Sequence, residues 1–123
     1  MKYPDFTSMP VYQKALELLI KIYQITKKFP PEEKYGITSD IRRAANSVVH
    51  NIAEGFGRFE PKDKTRFYKI SRGSAYELMS QSIVSYKLEY IKEESVLEKI
   101  LSESNDIIQE LNSLIKSIEI KKT

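Results

Sequence analysis

The sequence contains no cysteine and no tryptophan, and it has only four glycines and one histidine among 123 residues. The absence of cysteine excludes disulfides and thiolate metal sites, and it is compatible with a reducing, intracellular location. No apolar run approaches the roughly 20 residues that a membrane-spanning helix needs, and the N-terminus shows no cleavable signal pattern. These absences predict a cytoplasmic protein with no membrane contact.

Apolar residues are plentiful, and they recur every three or four positions in four segments of the chain. The spacing predicts helices over residues 9–28, 37–56, 61–90 and 94–120. No stretch alternates with a period of two, so strands are not expected. Short connections between helices of this length favour an all-α fold, an antiparallel up-down-up-down four-helix bundle that forms a single domain over residues 1–123.

Residue types near the segment boundaries predict how two of the helices begin or end. Ser8 is expected to cap the first helix, with Pro10 in its first turn, where a missing N–H costs little. Gly55 and Gly57 suit the left-handed conformation that often ends a helix, so we expect them to terminate the second one.

Charge is distributed unevenly along the chain. The net charge is +3, but residues 34–72 alone carry nine cationic and four acidic side chains, whereas residues 73–123 carry six and nine. All five arginines lie between positions 42 and 72. Because arginine suits carboxylates, phosphates and partly buried ion pairs better than lysine does, the central segment is predicted to form ion pairs, bind anions, or do both.

An antiparallel pairing of the second and third helices would place residues opposite each other when their numbers sum to about 120. This register predicts two structural ion pairs, Arg43 with Glu77 and Glu54 with Arg66. It also places Ser47 opposite Gly73 and Ser74, where small residues would let the helices approach closely. We therefore favour a structural role for the four charged residues over a catalytic one.

Six cations have no predicted ion-pair partner: Arg42, Arg58, Lys62, Lys64, Lys69 and Arg72. Those between residues 55 and 69, together with Arg66, are interleaved with aromatic residues in the stretch GFGRFEPKDKTRFYK. Single-stranded nucleic acid is commonly held by cations along its backbone and by aromatic rings under its bases. Alternatively, Phe56, Phe59 and Phe67 close the end of the core or fill a subunit contact. The candidate nucleic-acid contacts are Arg42, Arg58, Lys62, Lys64, Arg66, Lys69 and Arg72.

Signals for catalysis or cofactor binding are weak. His50 and Glu54 are one helical turn apart, but one histidine without cysteine makes a poor metal site, and a di-iron bundle would need glutamate at position 47, which is serine. The GFG sequence follows a helix rather than a strand, and Ser47 and Ser74 have no evident activating base. We therefore predict no catalytic, cofactor-binding or metal-binding residues, and an enzyme using His50 and Glu54 would require a concave pocket around both.

The order and separation of three stretches, FPPEEKYG, IRRAANSVVHNIAEG and GSAYEL, are distinctive. The chain resembles, most specifically in these stretches, a bacterial family of four-helix-bundle proteins that are encoded in intervening sequences of large-subunit ribosomal RNA genes. The resemblance covers nearly the whole chain, although Tyr12, Asp40 and His50 depart from the residues usual in the family. It implies a homo-oligomer, commonly a pentameric ring, and a relation to the accessory proteins of diversity-generating retroelements. Those proteins associate with a reverse transcriptase and bind nucleic acid through a basic surface.

Assembly into a ring would explain why the first and third helices carry more apolar residues than one bundle core needs. The second stripes on these helices are Tyr12, Leu16, Leu19 and Tyr23, and Met79, Ile83, Tyr86 and Tyr90.

The preferred interpretation is a non-enzymatic, nucleic-acid-associated scaffold, with RNA favoured over DNA because of the genetic setting of the family. Two alternatives stay open at this point. One is a purely protein-binding or structural oligomer, in which the basic segment meets the acidic fourth helix of a neighbouring subunit. The other is an accessory subunit of a reverse transcriptase.

Overall fold

The computed structural model describes residues 1–122, which form four α-helices connected by short segments. The helices are α1 (Pro10–Thr26), α2 (Ile37–Phe56), α3 (Pro61–Lys87) and α4 (Glu94–Lys122). Helix α1 packs on α2 and α4, and α3 packs on the same two helices, so consecutive helices are neighbours around one core. No strand occurs within residues 1–122. The predicted all-α, up-down-up-down four-helix bundle is confirmed.

The core is built from the apolar stripe that each helix turns inwards. Its largest members are aliphatic side chains that are almost completely removed from water, which is the main favourable contribution to folding. They are Leu18, Ile22, Ile41, Ile52, Leu78, Ile107, Ile108 and Leu111. Within residues 1–122, no helix is long and apolar enough to cross a lipid bilayer.

Several predicted helix ends are wrong by one to three residues. Helix α1 ends at Thr26 rather than at residue 28, α4 extends to Lys122 rather than to residue 120, and two further differences have local backbone causes. Met9, not Ser8, is the N-cap of α1, with φ −67° and ψ 125°. The proline that follows disfavours helical geometry at Met9, and Ser8 instead ends a short 3-10 turn, Asp5–Ser8. Helix α3 stops at Lys87 rather than at residue 90, because Glu89 takes a left-handed conformation with φ 64°.

The second helix ends where predicted, but the predicted left-handed glycines are wrong. Gly57 has φ −77°, and Gly55 lies inside the helix. A Cβ atom on Gly55 would lie 2.5 Å from Cε1 of the Tyr68 ring, so glycine is needed there for close approach rather than for φ. The amino group of Lys64 donates to the terminal carbonyls of Gly55 (3.0 Å) and Phe56 (2.8 Å), which satisfies the end of α2.

The predicted antiparallel register of α2 and α3 is confirmed by hydroxyl contacts. The Oγ atoms of Ser47 and Ser74 are 2.7 Å apart, and Ser71 Oγ donates to the Val48 carbonyl over 2.7 Å. The expectation for Gly73 is wrong, because it is exposed and a Cβ atom there would meet no described atom within 4 Å. Serine side chains and Gly55, rather than Gly73, allow the two helices to approach.

The predicted ion pair between Arg43 and Glu77 is wrong. Arg43 Nη2 instead lies 2.9 Å from Oδ1 of Asp40, one turn earlier on its own helix. Both Arg43 and Glu77 are exposed. Since small residues occupy the contact between α2 and α3, the long charged side chains lie outside it, where a partner on the same helix is nearer.

The FPPEEKYG stretch connects α1 to α2, and Glu33 links it to the α3–α4 connection at the same end of the bundle. Its Oε1 accepts the backbone N–H of Ile37 (3.3 Å), and its Oε2 accepts the Tyr90 hydroxyl (2.8 Å). A Cβ on Gly36 would clash with Glu33 Oε1, so glycine leaves room for this carboxylate. The hydrogen bond to Glu33 raises the pKa of Tyr90 above its usual value. One carboxylate therefore joins the start of α2 to the turn between α3 and α4.

Candidate nucleic-acid interface

The seven cations predicted to contact nucleic acid do not form one patch, and Arg42 is the most distant. It lies 14 positions before the end of α2, about 20 Å along the helix. Its Nε donates to Thr26 Oγ1 (2.8 Å), and its guanidinium stacks 4.5 Å from the ring centroid of Tyr23. Asn46 donates to the hydroxyl of the same tyrosine (3.0 Å). Arg42 thus belongs to the contact between α1 and α2.

Lys64 lies at the same end of the bundle as the α2–α3 turn, but its amino group already donates hydrogen bonds to backbone carbonyls. Its amino group caps α2 as described and also lies 5.6 Å from the ring centroid of Phe56. Partial burial lowers the pKa of Lys64. Its positive charge is therefore directed at the negative end of the α2 dipole rather than outwards.

Two arginines share one aromatic ring at the α2–α3 turn. The guanidinium carbons of Arg58 and Arg66 lie 4.7 Å and 4.3 Å from the ring centroid of Phe67. The predicted Glu54–Arg66 pair is wrong. Glu54 accepts from Arg58 Nη2 (3.2 Å), and Arg66 Nε lies 3.7 Å from Asp63. Like Arg43, both arginines therefore pair with a carboxylate three or four residues away in the chain.

Lys62 and Lys69 extend this cluster along the first turns of α3. Together with Arg66 they line an open depression that also includes Ile118 and Glu119 of α4. Lys69 Nζ lies 2.9 Å from Glu119 Oε2, whereas the exposed side chain of Lys62 has no hydrogen bond or ion pair to a described residue. We call Arg58, Lys62, Arg66 and Lys69 the hairpin cations.

Arg72 lies one turn beyond the hairpin cations, where α3 meets α4. Its Nη1 donates to Oδ1 of Asn112 over 2.9 Å, and its side chain is half-buried. The bond is to a neutral amide, so the charge of Arg72 is not offset by a carboxylate within hydrogen-bonding distance in the described chain. Arg72 is therefore an outlying member of the basic surface.

The aromatic residues of the same stretch have different environments. Phe56 packs against Phe6 of the N-terminal segment, with ring centroids 6.3 Å apart, and Tyr68 is 98% removed from solvent. Burial raises the pKa of Tyr68. Phe59 is 96% exposed. Phe56 thus contacts the N-terminal segment while it remains 40% exposed, and Phe59 is presented to solvent, so neither ring belongs to the buried core.

Exposed apolar side chains form two separate stripes, one on α1 and one on α3, which lie diagonally across the bundle. On α1 the stripe is Leu16, Ile20 and Tyr23, and on α3 it is Tyr76, Ile83 and Val84, continued by Leu88 at the C-cap of the helix. Sequence spacing indicated a second stripe on both helices, but only Leu16, Tyr23 and Ile83 of the predicted members are exposed. The other predicted members pack against the core, and the prediction missed four exposed residues: Ile20, Tyr76, Val84 and Leu88. Only the rotation of each helix about its axis decides which of two adjacent apolar residues turns outwards.

His50 and Glu54 line an open depression with Gly57 and Arg58 on the outer face of α2. His50 is exposed, and Glu54 is paired with Arg58. Among the described residues, no group of three or more histidine, cysteine, aspartate or glutamate side chains could hold a metal ion. This geometry gives His50 and Glu54 no enclosed pocket.

The fold and this surface define a small helical bundle with a basic, aromatic turn between its second and third helices. Residues 7–113 match the family described as 23S rRNA-intervening sequence protein, and the chain belongs to that family. No curated protein matches the sequence significantly.

The bundle is similar to a crystal structure from Bacteroides thetaiotaomicron, described as a protein of unknown function from the S23 ribosomal protein family. The two share 27% sequence identity with a TM-score of 0.79, over 86% of this chain and 98% of the other. The similarity therefore extends over nearly all of the other protein.

Proposed function

We propose that the protein is a cytoplasmic, non-catalytic, homo-oligomeric scaffold, pentameric as the family resemblance implies, that associates with nucleic acid through the α2–α3 turn. The observation that carries the proposal is the grouping of the hairpin cations at the turn that also carries the exposed side chain of Phe59. Surface ion pairs such as those of Arg58 and Lys69 contribute little stability, so phosphates can displace their carboxylate partners. The family description, which refers to 23S rRNA, favours RNA over DNA.

The apolar stripes on α1 and α3 support the oligomeric part of the proposal. Leu16, Ile20 and Tyr23 are each at least 37% exposed, and they lie at helical spacing on one face. Contiguous exposed apolar residues commonly mark protein contacts. Arg42 is stacked on Tyr23 at the edge of this face, so we assign it to the subunit contact rather than to nucleic acid.

The nucleic-acid part is tested by measuring the affinity for a fluorescein-labelled RNA by anisotropy at several salt concentrations. Replacing Arg58, Lys62 and Lys69 together by Glu should weaken binding about tenfold or more and flatten the salt dependence, because phosphate contacts are lost. The matched control replaces Lys27, Lys28 and Lys34, which are exposed at the other end of the bundle, and changes the net charge equally. An equal loss of RNA affinity in both variants would show that the effect comes from net charge, and it would contradict a localised interface.

The oligomeric part is tested by light scattering. Leu16→Lys combined with Ile20→Lys should lower the molar mass towards that of a monomer, since two charges would be placed in the proposed subunit contact. Asn105→Lys combined with Gln109→Lys, at exposed positions on α4 away from this stripe, changes the net charge equally and should leave the mass unchanged. An unchanged mass for the Leu16 and Ile20 variant would exclude this face from the assembly.

A purely structural or protein-binding oligomer is the second candidate, and the Lys69–Glu119 pair favours it. This contact already joins a hairpin cation to an acid of α4 within one subunit, and similar contacts can form between subunits. Assembly that weakens with salt, in a protein that retains no RNA or DNA at low salt, would favour this candidate. A reverse transcriptase remains a predicted partner on the basis of the resemblance, and co-purification with one encoded nearby would test that role.

A further inference from the structure

We propose that Phe59 is a stacking platform for an unpaired base, so that the ligand of the α2–α3 turn is single-stranded rather than double-stranded nucleic acid. The inference rests on the proposed function, because it requires that nucleic acid binds at the hairpin cations. It adds the class of nucleic acid and assigns a role to one aromatic side chain.

The first support is the position of Phe59. The residue lies in the connection between α2 and α3 with 96% of its surface exposed, and within residues 1–122 its ring has no aromatic or cation contact. The following residue is Glu60, and Pro61 begins α3, which restricts the backbone on that side of the ring. A large apolar ring held in water at the tip of a turn contributes nothing to this subunit's core.

The second support is the pair of guanidiniums at the same turn of the chain. Arg58 directly precedes Phe59, and both Arg58 and Arg66 are stacked on Phe67. Stacking restricts each side chain, so less conformational freedom is lost when it binds a phosphate. Because both distances refer to the same ring centroid, the two charges are close enough to contact neighbouring phosphates of one strand.

The preference for a single strand follows from which faces of a base are accessible. In a duplex each internal base is stacked on both sides, so a ring at the tip of a turn cannot stack on it without unstacking the helix. An unpaired base leaves one face free, and such stacking tolerates any sequence because every base has a π-face. The combination of one exposed ring and nearby cations is therefore suited to a flexible single strand.

The experiment compares the affinities of the full-length protein for a fluorescein-labelled oligouridine of 20 nucleotides and a 20-base-pair RNA duplex. Phe59→Ala should weaken single-strand binding between about fivefold and about a hundredfold, the range expected for loss of one stacked base. Duplex affinity and the salt dependence should not change. Phe59→Trp should retain single-strand affinity, and 2-aminopurine in the strand should be quenched by the wild type but not by Phe59→Ala.

Tyr35→Ala is the matched control. Tyr35 is 87% exposed beside Lys34, whose Nζ lies 5.4 Å from the ring centroid, in the connection between α1 and α2 at the opposite end of the bundle. Its loss should not affect single-strand binding. A comparable loss from Tyr35→Ala would overturn the proposed role of Phe59.

The outcomes separate this inference from the proposed function. If the wild type binds neither probe at low salt, the proposed function fails and the inference fails with it. If it binds both probes in a salt-dependent way and Phe59→Ala binds them equally well, the scaffold function stands and stacking is excluded. A change in molar mass by light scattering, without loss of affinity, would show that Phe59 fills a subunit contact and would also overturn the inference.

Discussion

The α2–α3 seam and the α1–α4 seam join antiparallel helices by different chemistry. The α2–α3 seam consists of the Ser47–Ser74 contact, the Ser71–Val48 bond and the packing of Gly55 against Tyr68. The α1–α4 seam carries the ion pairs Lys14–Glu110 (2.6 Å) and Lys21–Glu103 (2.5 Å). Short side chains occupy the first contact, and long charged side chains cross the edge of the second.

The difference shows what each kind of contact contributes. A close, nearly water-free contact depends on side-chain volume, so an added methyl group should be costly there. Partly exposed ion pairs depend on charge and solvent screening, and their removal should cost little. Unfolding of the variants should be compared at one protomer concentration, because assembly would make the apparent stability depend on concentration.

The largest effect is expected at Gly55. Gly55→Ala places a Cβ atom 2.5 Å from Cε1 of Tyr68, whose ring is buried. Overpacking of this kind costs about 1–3 kcal/mol, which should exceed the gain of about 1 kcal/mol from replacing glycine in a helix. Urea unfolding followed by circular dichroism should show a lower midpoint for the variant.

Gly73 supplies the control within the same pair of helices. A Cβ atom at Gly73 meets no described atom within 4 Å, so Gly73→Ala should stabilise the protein by about 0.5–1 kcal/mol through helix propensity alone. The two substitutions are chemically identical and should have opposite signs. A stabilising Gly55→Ala would show that Tyr68 is not packed tightly against α2.

Two fully buried serines give the next effect. Ser71→Ala removes a hydroxyl that donates to Val48 across the α2–α3 seam and should cost about 1 kcal/mol. Ser104 on α4 is equally buried, but its Oγ has no partner among the described residues. Ser104→Ala should therefore be neutral or slightly stabilising, because it removes a polar group that folding dehydrates without compensation. Similar losses at both sites would contradict the role assigned to the Ser71 bond.

The sequence was sufficient to predict the helical architecture because the relevant signals are local. Apolar spacing located the four helices, and the glycines and Pro61 bracketed the α2–α3 turn, so both ends of α2 and the start of α3 were predicted to the residue. The antiparallel register also followed, since a short turn leaves little freedom in how two helices align. These features depend on residues that are near each other in the chain.

Ion pairs and the candidate interface were predicted less well because they depend on helix rotation and tertiary contact. The sequence offers Glu54 two possible cationic partners, Arg58 four residues later and Arg66 on α3, and only the structure shows that Arg58 is the partner. Lys64 reaches back to the end of α2, which no spacing rule indicates. Phe56 and Phe59 are three positions apart and identical in type, yet one packs on Phe6 and the other faces solvent.

A smaller effect is expected from the α1–α4 seam. A double-mutant cycle with Lys21→Met and Glu103→Gln should give a coupling of about 0.2–1 kcal/mol, and the coupling should decrease as salt is added. The pair is partly exposed, with side-chain exposures of 38% and 27%. A coupling above that range, unaffected by salt, would mean that this seam is as dry as the α2–α3 seam.

The pH dependence of the two seams should also differ. The hydrogen bond to Glu110 raises the pKa of Lys14 above its usual 10.5, and the charges of Glu110 and Asp106 act in the same direction against partial dehydration. The folded state therefore favours the protonated amine, and this contribution is fully present below pH 10.5 and lost as the pH rises through the raised pKa. The difference in melting temperature between the wild type and Lys14→Met should shrink above pH 10.5.

The corresponding difference for Ser71→Ala should stay constant, because neither a serine hydroxyl nor a backbone carbonyl titrates in this range. If both differences shrank together, the loss would reflect general alkaline unfolding, and the α1–α4 seam would have no separate electrostatic contribution.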